Sequence, residues 1–351
     1  MGTVVKTIGS AGGRDYSTLQ GWEDACPANL VTDGNIQQGE CYNDSEFATP
    51  NLTLGGSTAD ATHYKHLTAA AGQSFQDNAN VRTNALAYNQ SNGVGLSATG
   101  TYGNNITISA ENCVHLSRLQ IKTTGNQGRW IYSTGSWGCI VIKDCFVQRA
   151  AFAMAPGSNT SNGPSLLINT VFFDNTSLST VWFNTWGNQL QVIGCSFIRT
   201  TSTSQTGTAI SHQSGHSLST NIVQSTCCFG YGAFTSDTSK WDSTNSKNCA
   251  TELASGFPGS TGHQYSVTYS GTTPFTQAST TNTDLRAIAG TALAANGYRD
   301  STNAPNDISA TARASSPTIG HWELVAAVTD NQDWFFFPMA QRLRDTVNVG
   351  Y

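Results

Sequence analysis

Five nine-residue windows in the middle of the chain can be laid over one another, and this repeat constrains the fold more than any other feature. They are Cys113–Ile121, Cys139–Val147, Ser165–Phe173, Gln189–Phe197 and Asn221–Phe229, with starts offset by 26, 26, 24 and 32 residues. Position two of the windows reads Val114, Ile140, Leu166, Leu190, Ile222. Position four reads Leu116, Ile142, Ile168, Val192 and, out of pattern, Gln224. Position seven reads Leu119, Cys145, Val171, Cys195, Cys227, and position nine Ile121, Val147, Phe173, Phe197, Phe229. Positions five and six are mostly polar or small. Two period-two strands joined by a two-residue bend account for this pattern. A fixed period means stacked structural units, whereas unrelated strands of a β-sandwich would not align in columns.

The expected fold is all-β: a single-stranded right-handed parallel β-helix in which each circuit of roughly 24 to 26 residues adds short strands about 4.8 Å above the last. Inward positions then stack like upon like, and stretches such as Ser158–Gly163 turn outward. Composition agrees. Charged residues are only 11% of 351, and Thr, Ser, Asn, Gln and 34 Gly take their place. Helical bundles and coiled coils need far more Glu, Lys, Ala and Leu. The 8 Trp, 11 Tyr and 15 Phe can build a core, so the chain is not of the disordered class.

A raw solenoid end needs a cover. Thr3–Lys6 reads as a first strand. Asp15–Asp24 reads as a short amphipathic capping helix with Ser17 and Gln20 as a capping box and Leu19 and Trp22 on one face. His66–Gly72 and Asn92–Ser97 read as less regular coil strands, and Ile106–Ile108 opens the clearer repeat. Beyond residue 235 the periodicity weakens. The division is therefore 1–60 for entry strand, helix and entry region, 61–323 for the β-helix, and 324–351 for a C-terminal aromatic tail.

Two segments resemble a known family. Gly12-Gly-Arg-Asp-Tyr-Ser-Thr-Leu-Gln-Gly-Trp-Glu-Asp24, with Leu67–Gly72, is similar to the opening of β-helix proteins common in phage genomes. Thr283–Leu293, Asn306-Asp-Ile-Ser309 and Arg313-Ala-Ser-Ser-Pro-Thr-Ile-Gly-His-Trp-Glu323 resemble the closing segment of pectin-lyase-like β-helix proteins. The resemblance implies a β-helix fold and, by its phage members, a non-enzymatic virion structural protein. Its expected role is capsid decoration or cement, or a head spike, assembled as a homotrimer on the major capsid protein or another virion protein. Its enzymatic members imply the first alternative, a tailspike that binds or cleaves bacterial surface polysaccharide. The second alternative is a non-catalytic glycan-binding adhesin.

The residues favour no active site. Polysaccharide lyases and hydrolases need acids and bases clustered on adjacent coils. Asp144 and Asp174 fall at window positions six and ten and do not stack, while Lys143 and Arg118 flank the bend of Asp144 as a surface ion pair would. Asn282-Thr-Asp284 and Gly215-His216 match pieces of the polygalacturonase pattern in the wrong order. His212 and His216 sit in loop composition with no third ligand, and Gly93-Val-Gly95 is turn chemistry. No catalytic residue, metal or other cofactor is therefore expected.

The partner-binding candidates are Trp334, Phe335, Phe336, Phe337 and Arg342, because an aromatic cluster in a tail serves as a cap or as an anchor in a partner. The glycan-binding candidates are Trp130, Trp182 and Trp186, in or beside successive turns with Tyr132 and Trp137. A net charge of −5 gives no footprint for nucleic acid. No apolar run reaches membrane-spanning length. The start Met1–Lys6 has no signal-peptide character, so the expectation is synthesis in the host cytoplasm and residence in the virion. None of the nine cysteines forms a Cys-x-x-Cys pair. Most are expected to be buried thiols, with Cys26 and Cys41 the pair left open for a disulfide.

Overall fold

The computed structural model describes residues 2–48, 52–78, 81–98, 106–109, 113–123, 129–134, 139–149, 151–154, 163–174, 179–183, 189–200, 207–212, 220–279 and 282–324. In strands 129–134, 151–154 and 179–183 it describes the backbone and, of the side chains, Ile131. Three parallel sheets run the length of the molecule. The first stacks Gly2–Ile8, Asn35–Cys41, Lys65–Ala69, Cys113–Ser117, Cys139–Lys143, Ser165–Ile168, Leu190–Ile193 and Ile222–Gln224. The second stacks Leu52–Gly55, Ile106–Ser109, Arg129–Thr134, Ala151–Met154, Ser179–Phe183, Thr208–His212 and Ala233–Thr235. The third stacks Phe47–Ala48, Gly95–Ala98, Gln120–Thr123, Phe146–Gln148, Val171–Phe173, Ser196–Ile198, Cys227–Phe229 and Ala250–Thr251. The chain visits the first, third and second sheets in that order and then begins again, as in Cys139–Lys143, Phe146–Gln148 and Ala151–Met154. The path is compatible with a parallel β-helix.

The inward columns differ from the sequence alignment in two windows. On the first sheet the buried column is Leu67, Leu116, Ile142, Leu167, Val192, Val223. On the third sheet it is Leu96, Ile121, Val147, Phe172, Phe197, Cys228. The windows at Ser165 and Asn221 are therefore each displaced by one residue. Leu167 and Val223, not Ile168 and Gln224, occupy position four, which removes the polar exception. Phe172 and Cys228 replace Phe173 and Phe229 at position nine. The displacement puts Ser165 and Asn221 at position two, where each bonds to the neighbouring strand: Ile140 N–H donates to Ser165 Oγ (3.2 Å) and Leu190 N–H to Asn221 Oδ1 (2.8 Å).

The one-residue displacement also explains the cysteines. Position seven becomes Leu119, Cys145, Thr170, Cys195, Thr226. Each thiol or hydroxyl in this series donates to the carbonyl two residues upstream: Cys145 to Lys143 (3.3 Å), Thr170 to Ile168 (2.9 Å), Cys195 to Ile193 (3.6 Å) and Thr226 to Gln224 (3.0 Å). Cys249 does the same to Lys247 at 3.4 Å. A short donor next to the bend satisfies a carbonyl that the turn takes out of the ladder, so Cys and Thr exchange freely there. Cys26 and Cys41 are not joined: Cys41 is buried in the core, and the Cys26 thiol donates to the Trp22 carbonyl (3.5 Å).

Helix Leu19–Asp24 forms as expected, one residue later than the proposed cap. Thr18, not Ser17, is the N-cap, and its hydroxyl accepts from Gly21 N–H at 3.0 Å. Leu19 and Trp22 are buried in the main core. The Trp22 indole occupies the place that Leu67 and its successors fill higher in the stack. Gly39 is the first-sheet residue in register below Leu67, and a Cβ there would come within 2.8 Å of both Trp22 and Ile8.

Beside it, Lys65 and Glu23 form a buried ion pair (2.6 Å), with Lys65 also donating to the Gly55 carbonyl (2.9 Å) and Gly55 N–H to Glu23 (3.0 Å). Lys65→Met leaves the Glu23 carboxylate buried without its cation. It is expected to cost about 3 kcal/mol, read as a lower urea midpoint with an unchanged slope.

Candidate functional site

The bend between the first and third sheets is a left-handed column. Arg118, Asp144, Asn169, Gly194, Ser225 and Asn248 all have φ between 47° and 61°. Asn, Asp and Gly tolerate this region best, which accounts for much of the column's chemistry. A second left-handed column, Arg149, Asp174 and Gly230, closes the far end of the third sheet. Between these two columns lies the sheet's outer face, carrying Phe146, Val171, Phe173, Ile198, Cys227 and Phe229. All are buried in a cluster with Phe75, Leu285, Leu293, Ile308, Ile319 and Trp322. Residues 75–78, 81–86 and 285–323 therefore cover this face.

A buried polar clamp holds the cover down. The Arg313 guanidinium donates to Asn169 Oδ1 (3.0 Å), Gly320 O (2.7 Å) and Thr318 O (3.1 Å), and lies 3.7 Å from the Glu323 carboxylate. It enters over Gly194, where a Cβ would come within 2.7 Å of Arg313 and of Asn169. Asn169 in turn donates to Asp144 (3.0 Å) and to Asn306 O (2.6 Å). Asp307 accepts from Arg82 (2.8 Å) and from Glu323 N–H (2.6 Å), and the Arg82 guanidinium lies 4.1 Å over the Trp322 ring. Burial pushes His321 down to about 3, so its ring is neutral. Its Nε2–H donates to Leu285 O (2.9 Å), and its Nδ1 accepts from the Ser196 hydroxyl (2.6 Å).

Asp144 and Asp174 sit on different bends at opposite ends of the third-sheet strands and are not brought together. Asp174 pairs with Arg149 (3.2 Å) and accepts from Thr200 (3.4 Å). Burial raises the Asp144 carboxyl to about 6. A carboxyl raised above its unfolded value contributes stability that is present below pH 4 and lost as pH rises through 6. Asp144→Asn keeps the left-handed bend and the acceptor for Asn169. It is expected to stabilise the fold at pH 7 by about 3 kcal/mol and to change it little at pH 3.5, as urea midpoints at the two pH values would show.

Asp284 belongs to the same cover: it accepts from Leu86 N–H (3.1 Å) and pairs with Arg286. His212 packs edge-on against Trp241, with centroids 5.6 Å apart. Among the described residues no group of three or more His, Cys, Asp or Glu is placed to hold a metal.

Of the aromatic candidates, Trp130 lies in Arg129–Thr134 where the register shifts against the next strand, and Trp182 lies in Ser179–Phe183 in register with Ala153 and Ser211. They are thus on different register positions of the second sheet. Trp137, Trp186, His216 and the tail residues Trp334, Phe335, Phe336, Phe337 and Arg342 lie outside the described residues.

The outer face of the first sheet offers a feature not anticipated from the sequence. Gln38, His66, His115, Val141, Leu166, Gln191 and Ile222 are in register across seven strands, and every one is half-buried. At its lower end Tyr64 stacks on His115 (3.6 Å), and His66 bridges Gln38 (3.1 Å) and Ser117 (2.8 Å). The strip rises by one strand spacing per circuit and makes a long flat face. No family model, curated protein or solved structure matches the chain.

Proposed function

We propose that this chain is a non-enzymatic structural protein of a phage virion, built as a right-handed pectin-lyase-like β-helix. It decorates or cements the capsid or stands on it as a head spike. The observation that carries the reading is the use of the charged groups. Asp144, Asp307, Glu323, Arg82 and Arg313 are engaged in the bend and clamp contacts that fix the cover, and Asp174 is paired with Arg149 on the second bend column. The parallel strand-to-strand crossovers support a right-handed path, and helix Leu19–Asp24 serves as the lower cover of the stack. The flat strip through His66, Val141, Leu166 and Ile222 supports side-by-side packing of copies in a homotrimer. Residues 324–351 are the anchor to the major capsid or another virion protein.

Deleting residues 330–351 is the test. The truncated protein should keep its circular dichroism and its melting temperature to within roughly 2 °C while losing attachment to particles in a sedimentation assay. Light scattering of the intact protein should give about three times 37.2 kDa. Release of new reducing ends from host capsule or lipopolysaccharide by the purified protein would overturn the reading in favour of a depolymerase.

A further inference from the structure

We propose that Cys113 and Cys139 form a disulfide staple between two successive circuits when the protein meets an oxidant. The two residues are register partners on adjacent strands of the first sheet, at the start of Cys113–Ser117 and of Cys139–Lys143. Their sulfurs are 2.8 Å apart, the Cys139 thiol facing Cys113 Sγ. Adjacent strands run about 4.8 Å apart, inside the Cα separation that a disulfide spans, roughly 4.4–6.8 Å. The geometry of the backbone is thus already that of a cross-link.

Four of the other cysteines are engaged differently. Cys145, Cys195 and Cys249 each donate to the carbonyl two residues upstream, and Cys227 to the Ser196 hydroxyl at 2.9 Å. Cys113 and Cys139 lie outside the inward columns, on the same side of the first sheet as the strip residue His115. Cys139 retains 5% exposure, while Cys113 is fully buried. Tyr64, whose ring stacks on His115, immediately precedes the adjoining strand Lys65–Ala69.

The chemistry balances with one peroxide. Cys139 sulfur attacks hydrogen peroxide, the O–O bond breaks, and Cys139 sulfenic acid and one water result. Cys113 sulfur then attacks the sulfenic sulfur and displaces the second water. Two thiols and one peroxide become one disulfide and two waters, with sulfur oxidised and peroxide reduced. The bond closes a loop of 26 residues in sequence and ties two circuits at the middle of the stack, where a staple constrains the unfolded chain without bending the native sheet.

The experiment treats the full chain with hydrogen peroxide, quenches, denatures without reductant and alkylates. Seven of the nine cysteines should then alkylate, and peptide mapping should find one cross-linked pair joining Cys113 to Cys139, about 2 Da lighter than the two thiol peptides. The oxidised protein should melt roughly 5 °C higher, and Cys113→Ser should show neither the cross-link nor the rise. Nine alkylated cysteines after treatment, sulfinic acid at Cys139 in place of the bond, or a cross-link between any other pair would overturn the proposal.

Discussion

Replacing Phe197 by Asp is expected to abolish folding: no soluble monodisperse protein, and no cooperative melting of any material recovered. Phe197 is completely buried, lies stacked on Phe172 with centroids 4.8 Å apart and planes 8° from parallel, and meets Phe234 edge-on at 5.9 Å. Removing a buried phenyl ring costs about 3–5 kcal/mol. An unpaired carboxylate in its place adds several more, since the surrounding column of Val147, Phe172 and Cys228 supplies no donor stronger than a thiol. The sum rivals the whole stability of a domain, typically about 5–15 kcal/mol. Phe197→Leu is the control. It should remain folded with a lower melting temperature, which separates the charge from the loss of ring packing. Phe173→Asp is expected to act differently. Its side chain lies on the outer face with Phe275 and Trp322, so it should loosen the cover while the circuits still form.

That contrast shows where the sequence could be read and where it could not. Stacked strands, the two-residue bend and the aliphatic and aromatic columns are legible because inward positions repeat. The one-residue displacement at Ser165 and Asn221 is not. Leu166-Leu167-Ile168, Val171-Phe172-Phe173 and Cys227-Cys228-Phe229 are apolar at consecutive positions, so no alternation marks the inward residue. The outer face of the two third-sheet segments is apolar because 285–323 covers it, and Ile168 packs with Ile193 and Ala304; a strand buried on both faces loses its period of two. The polar residues Ser165 and Asn221 read as strand edges, yet each accepts from the neighbouring backbone.

The clamp that holds the closing segment could not be foreseen. Arg313 and Asn169 are 144 residues apart, and nothing in either local pattern announces the other. A signal was nevertheless present: Asp144, Asn169 and Gly194 recur at one bend position. Those residue types together at a fixed place mark a left-handed column, along which a side chain can approach wherever Cβ is missing. The first-sheet strip leaves no mark in the sequence for the opposite reason. His66, His115 and Gln191 are polar and read as ordinary solvent positions until register places them in line with Val141, Leu166 and Ile222.

Arg313→Met is expected to release the cover while leaving the circuits in place. The guanidinium is almost fully buried and bonded to three acceptors from two segments. Removing it strands Asn169 Oδ1 and two carbonyls and leaves the Glu323 carboxylate without its cation. Loss of one partner from a buried charged network costs about 3–5 kcal/mol. The methionine recovers part of the packing of the arginine stem, so the loss reads chiefly on charge and hydrogen bonding. Because the clamp joins 306–323 to the bend column and not to the inward core, the cost should fall on local opening more than on global unfolding. Limited proteolysis should therefore cut between 285 and 323 at a rate raised by two orders of magnitude or more, as about 3 kcal/mol of local opening implies. A large fragment ending near residue 280 should remain resistant. Arg313→Lys should fall in between, since a single ammonium can reach one or two of the three acceptors but not all of them. If Arg313→Met instead melted the whole molecule in one step with no resistant fragment, the cover would be part of the cooperative core and not a separately clamped layer.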